Sequence, residues 1–140
     1  MRFPINPQTG VGPLRFGMLR DQVRSVLAVP VEIFRRTPKD VEADLFKSLG
    51  AFAYYDGNGA LEAVEFFSPA KVTFNELDIL NTSASELIGE MSEVDPDLEC
   101  EGSGFTSRSF GFGVWSEDDS ELPPQSVIVF APGYYESPQR

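Results

Sequence analysis

Residues 14–67 read like residues 78–131, displaced by 64 positions. Each copy opens with a short amphipathic helix and closes on short strands that end in an aromatic-rich hairpin. Val23 and Leu27 on the first predicted helix match Leu87 and Met91 on the second. Val64 and Phe66 on a late strand match Ile128 and Phe130. A repeated unit of this size does not bury its apolar face alone and stacks on its copy. The fold class expected is therefore α+β. Two tandem helix-plus-antiparallel-strand repeats would form one curved antiparallel sheet with the helices on one face. A chain of 140 residues buries roughly 68–70% of its unfolded surface in a single core. The residues between the copies carry Val72, Phe74 and Leu77, so they do not resemble a linker. Residues 1–140 are accordingly expected to form a single domain.

Pro4, Pro7, Gly10, Gly12 and Pro13 predict an irregular, extended lead-in over residues 1–13. Leu19, Val23, Val26 and Leu27 fall at helical spacing and predict a helix from about Met18 to Ala28, stopped by Pro30. Residues 31–35 alternate as a strand. Residues 37–48 admit two readings: a helix capped at Thr37-Pro38, or a short strand over 44–47, which the repeat favours. Strands are predicted over 49–55 and 60–67, joined by Asp56-Gly57-Asn58-Gly59. Gly and Asn tolerate the positive φ that such a hairpin turn requires. Residues 74–80 are extended or irregular. Ser83 and Glu86 have the spacing of a capping box and start a helix that runs to about Val94, ended by Asp95-Pro96. Further strands are expected over 98–101, 109–115 and 126–131, the last central. In 109–115, Phe110, Phe112 and Val114 point one way. Gly111 and Gly113 point the other and leave a flat patch open to close approach.

The sequence contains no histidine and one cysteine, Cys100. That removes histidine-based triads, histidine metal ligands and the commonest general base. Zinc sites of Cys and His are excluded as well. The expectation is a protein that is not an enzyme and carries no cofactor and no metal. Asp95, Asp97, Glu99 and Glu101 alternate and would share a face of an extended segment. Their spacing lacks the glycine of a calcium loop, and they read as a charged edge strand that resists edge-to-edge pairing. Asp and Glu number 22 against 11 Lys and Arg, for a net charge of −11. Such a field repels nucleic acid and anionic lipid and steers a basic protein partner. No apolar run is long enough to span a membrane, and the first residues lack the apolar stretch of a signal peptide. The expected compartment is the cytoplasm.

Aromatic residues supply the candidate contacts. Tyr54 and Tyr55 precede the hairpin turn, and Tyr134 and Tyr135 follow the last strand. Trp115 closes the glycine-rich strand beside the acidic loop Glu117-Asp118-Asp119. Tyrosine and tryptophan dominate binding hot spots because they bring large area at low entropy cost. These eight residues form the candidate partner-binding set. The alternatives are a small-molecule-binding module that uses the concavity of the sheet and a carboxylate-dependent hydrolase.

The segment from Gly12 to Val23, with Gly17-Met18-Leu19 at its centre and Gln22-Val23 at its end, resembles a family motif. It is similar to the glycine-methionine-threonine-x-x-glutamate-valine opening of the helix in β-lactamase-inhibitor-protein-like domains. Lipoproteins of the SmpA/OmlA type use one such unit, and the secreted inhibitors use it in tandem. Leu19 stands where threonine is usual, and Gln22 replaces the glutamate. The chain also departs from the inhibitors in having no cysteine pair, and from the lipoproteins in having no N-terminal cysteine. It further resembles small acidic bacterial proteins, among them immunity proteins to toxins. The resemblance implies a tandem-repeat fold and an inhibitor- or immunity-type protein-binding role.

Overall fold

The computed structural model describes residues 1–35, 37–39, 41–117 and 119–135. It contains two sheets, where the sequence predicts one. The correction comes from the first thirteen residues. They form β1 (Arg2–Asn6) and β2 (Gly10–Val11), followed by β3 (Leu14–Arg15). Phe3, Ile5 and Val11 are buried. Their apolar alternation outweighs the breaker composition of the segment, because β1 finds a parallel neighbour in β8 (Lys71–Phe74). With β9 (Leu77–Asp78), these strands make a five-stranded sheet in the order β3-β2-β1-β8-β9. A 3-10 turn over Ile79–Asn81 leads out of it.

The larger sheet has eight strands and is antiparallel throughout. Helix α1 (Arg20–Leu27) is followed by β4 (Glu32–Phe34), β5 (Ala43–Phe46), β6 (Ala51–Tyr55) and β7 (Leu61–Phe66). Helix α2 (Ala84–Val94) is followed by β10 (Glu99–Glu101), β11 (Gly104–Ser107), β12 (Phe112–Trp115) and β13 (Ser126–Phe130). The two meanders meet through β13 and β7, giving the order β10-β11-β12-β13-β7-β6-β5-β4. Residues 43–46 take the strand alternative of the two open readings. The strand expected over 109–115 begins only at Phe112, because Gly111 sits in a turn at φ +75°.

Both helices and the smaller sheet cover one face of the eight-stranded sheet, here called the inner face. Val23 and Leu27 of α1 share one core with Leu87 and Met91 of α2 and with Val64, Phe66, Phe112 and Val129. Phe3 packs on Phe66 at 4.7 Å between ring centroids, and Phe74 packs on Phe112 at 5.0 Å. The apolar stripe of α1 is narrower than its spacing implies: Leu19 and Val26 are exposed. Position-for-position matching of the halves stops at the helices. Val64 is buried on the inner face, whereas Ile128 lies on the opposite face beside Glu65, and Val129 is the residue opposite Val64. A strand alternates sides with each residue, so a shift of one position moves a side chain to the other face.

The helix starts also differ. Ser83 Oγ accepts the Glu86 N–H at 3.2 Å, as the capping spacing predicts. At α1 the Gln22 side chain accepts the Leu19 N–H at 2.8 Å, but leucine has no acceptor to offer in return. The hairpin turn after β6 behaves as expected. Asp56 Oδ1 accepts from Asn58 N–H at 2.8 Å and from Ala60 N–H at 3.0 Å.

Candidate functional site

The outer face of the eight-stranded sheet is the one that neither the helices nor the smaller sheet covers. Residues paired directly across neighbouring strands point to the same side. One such row crosses the second meander and enters the first: Glu99, Thr106, Gly113, Ile128 and Glu65. A second row lies one pleat along and holds Glu101, Gly104, Trp115 and Ser126. Together the rows floor an open groove of about 600 Å³, with Tyr135 at one wall.

The groove exists because two positions lack side chains. A Cβ on Gly113 would come within 2.8 Å of the Phe105 carbonyl oxygen, and one on Gly104 within 2.6 Å of the Val114 carbonyl oxygen. Strands β11 and β12 therefore leave no room for a side chain at either glycine. Trp115 stands next to this bare floor and is 57% exposed. Acidic groups sit at both ends. Glu99 and Glu101 lie on the edge strand β10 and are exposed. Glu65 lies four strands away, which at about 4.8 Å per strand is roughly 19 Å. The Tyr54 hydroxyl donates to Glu65 Oε1 at 2.7 Å. Glu99 pairs with Arg108 at 3.1 Å across solvent, an exposed contact of small energetic weight.

The candidate residues do not gather in one place. Trp115 and Tyr135 line the groove, and Tyr54 holds the carboxylate at its far end. Tyr134 and Tyr135 fold over Phe130 on the outer face, with ring centroids 5.9 Å and 4.8 Å from it. Glu117 and Asp119 line a separate shallow hollow with Leu122 and Gln125, joined to the groove through Ser116. There Gln125 donates to Glu117 at 2.7 Å, and Asp119 accepts from the Glu121 N–H. Asp118 lies outside the described residues.

Tyr55 is the correction. It points inward, is 3% exposed and has no surface to offer a partner. Its hydroxyl donates to Asp44 at 2.9 Å. Asp44 is fully buried and also accepts from Arg24 at 2.7 and 2.9 Å and from Arg20 at 3.1 Å. The Arg20 guanidinium lies 4.5 Å over the Tyr55 ring. Burial and the neighbouring carboxylate push the Tyr55 hydroxyl pKa well above its ordinary value. The hydrogen bond from Arg24 to Asp44 raises the Arg24 pKa further. The cluster clasps α1 to β5 and belongs to the core.

The second half has its own clasp. Asp95 at the end of α2 is buried and accepts from Ser107 Oγ at 2.6 Å. This turns Asp95 inward, so the four alternating carboxylates do not share a face, and only Glu99 and Glu101 do. No family model matches the chain, and no curated protein and no solved structure matches it. No helix among the described residues is long and apolar enough to cross a membrane.

Glu65, Ile128, Thr106 and Gly104 carry no sign of this site in the sequence. Each is unremarkable in its own strand. Their relation appears only when five strands are placed in register. The signal within reach was the alternation of Glu65 with Val64 and Phe66, which marks it as facing away from the core.

Proposed function

We propose that the protein is a non-catalytic binding module whose outer sheet face receives a basic protein partner, in an inhibitor- or immunity-type role in the cytoplasm. The observation that carries this reading is the groove itself. An exposed tryptophan stands beside a bare glycine floor, with carboxylates at both ends, on a chain of net charge −11. A cationic side chain gains both from the face of an indole ring and from nearby carboxylates. The dispersal of Glu65 and Glu99 to the two ends of a row of five strands suits charge-steered docking better than joint action on one bond. The two meanders, each preceded by a helix, support descent of the fold from one unit used twice. They also support the likeness to the tandem-repeat inhibitors.

The groove volume favours one second reading, since about 600 Å³ lies within the usual range for small-ligand sites. The tagged protein and a Trp115→Ala/Glu65→Gln/Glu99→Gln variant, each used as bait in its native cells, separate the two. The binding reading expects basic proteins on the unaltered bait that are missing from the variant. With such a partner, added salt slows association, and Trp115→Ala speeds dissociation, because steering is screened and an anchor is lost. Identical protein sets on both baits overturn the reading and favour the small ligand.

A further inference from the structure

We infer that what the groove receives is an extended segment of the partner lying across the strands, with basic residues spaced to meet Glu99/Glu101 at one end and Glu65 at the other. The inference rests on the binding reading above and adds the form of the bound element.

Three observations set that form. First, the carboxylates are not clustered. They stand at the ends of one cross-strand row, with Thr106, Gly113 and Ile128 between them. A single cationic side chain cannot reach both ends of a row roughly 19 Å long. Second, this row is bare at Gly113, and Gly104 of the neighbouring row adds a second bare position, so a backbone can lie close to the sheet there. A helix, about 10–12 Å across with its side chains, would rest on Trp115 and Ile128 and leave the glycine floor empty. Third, a second copy of this chain is disfavoured as occupant, because it would bring a further charge of −11 against the same carboxylates.

An extended chain rises about 3.3 Å per residue, and alternate side chains share a face. Basic residues about six positions apart therefore match the roughly 19 Å row and point to the same side. The alternate positions between them face the floor. Apolar side chains there meet Trp115 and Ile128. Arginine suits the Glu99/Glu101 end, since a planar guanidinium forks onto carboxylate.

Fluorescence anisotropy with labelled synthetic peptides tests the inference. The central probe is Arg-Ser-Leu-Ser-Leu-Ser-Arg. Its isomers have the same composition with the two arginines adjacent or closer together, and a longer peptide separates them further. The spaced probe is expected to bind about fivefold more tightly than the isomer with adjacent arginines, the scale of one modest charge-assisted contact. Glu65→Gln and the double variant Glu99→Gln/Glu101→Gln should each remove that preference, whereas Trp115→Ala should weaken all the peptides together. Affinity that follows the number of arginines and ignores their spacing overturns the inference. So does failure of every peptide to bind while the bait experiment still separates unaltered protein from variant. In that case the groove reads a folded surface and the binding reading stands. Failure in both experiments sinks both.

Discussion

The two meanders follow the same strand order, yet their outer faces have opposite relief. In the first, Phe52 packs against Phe34, Tyr54 and Phe67, with ring centroids 5.3–6.1 Å apart. The rings pave the face. In the second, Gly104 and Gly113 leave it hollow, and Trp115 stands exposed at the rim. The inner faces differ too. The first half secures its helix with a buried carboxylate bound by two arginines and a tyrosine, the second with a carboxylate bound by two serines and the Asp97 N–H. One architecture thus carries two surfaces, and the missing side chains create the groove.

The largest difference expected between the halves lies in their clasps. Asp44→Ala removes the partner of Arg20, Arg24 and the buried Tyr55 hydroxyl. It should cost about 2–4 kcal/mol, because the Tyr55 hydroxyl is stranded in the core while the two partly exposed arginines regain water. Asp95→Ala should cost about 1–3 kcal/mol, because it strands chiefly the Ser107 hydroxyl. Denaturant midpoints with unchanged slopes give the ranking, and equal losses would erase the contrast.

Next in size is the glycine floor. Gly113→Ala places a methyl group against the Phe105 carbonyl and should cost about 1–3 kcal/mol through overpacking. An alanine tolerated there without loss would mean that the floor is a choice of function and not of packing. Thermal melts decide between the two.

Alkaline pH should also separate the clasps. Tyr55 has a raised pKa in the folded state, so the folded protein holds its proton longer than the unfolded chain does. The stability this contributes is complete below the unfolded tyrosine pKa of about 10 and is lost as pH rises toward the folded value. One such group sets a slope of at most about 1.4 kcal/mol per pH unit. Tyr55→Phe should flatten that slope, and Ser107→Ala should leave it unchanged. Stability measured by urea titration at stepped pH values tests the assignment.

The smallest contrast concerns helix starts. Ser83→Ala should cost about 1 kcal/mol, and Leu19→Ser should gain some tenths up to about 1 kcal/mol by supplying the cap that α1 lacks. A stabilised Leu19→Ser protein would show that α1 begins less favourably than α2. No gain would mean that the bond from Leu19 N–H to Gln22 already suffices.

Short-range chemistry made much of this fold legible. The sequence by itself determined both helices, the Ser83 cap, the Asp56–Gly59 hairpin and the end of α2 at Asp95-Pro96, because each depends on neighbours a few residues away. It also pointed to Trp115 and to the central place of residues 126–130. The tertiary structure alone decided that residues 1–13 form strands, since β1 is ordered by β8, whose residues lie some 70 positions along the chain. It decided as well that Tyr55 faces the core while Tyr54 faces out. Above all, it brought Glu99, Gly113 and Glu65 into one row, because the register of five strands is set by hydrogen bonds between segments that the linear pattern does not connect.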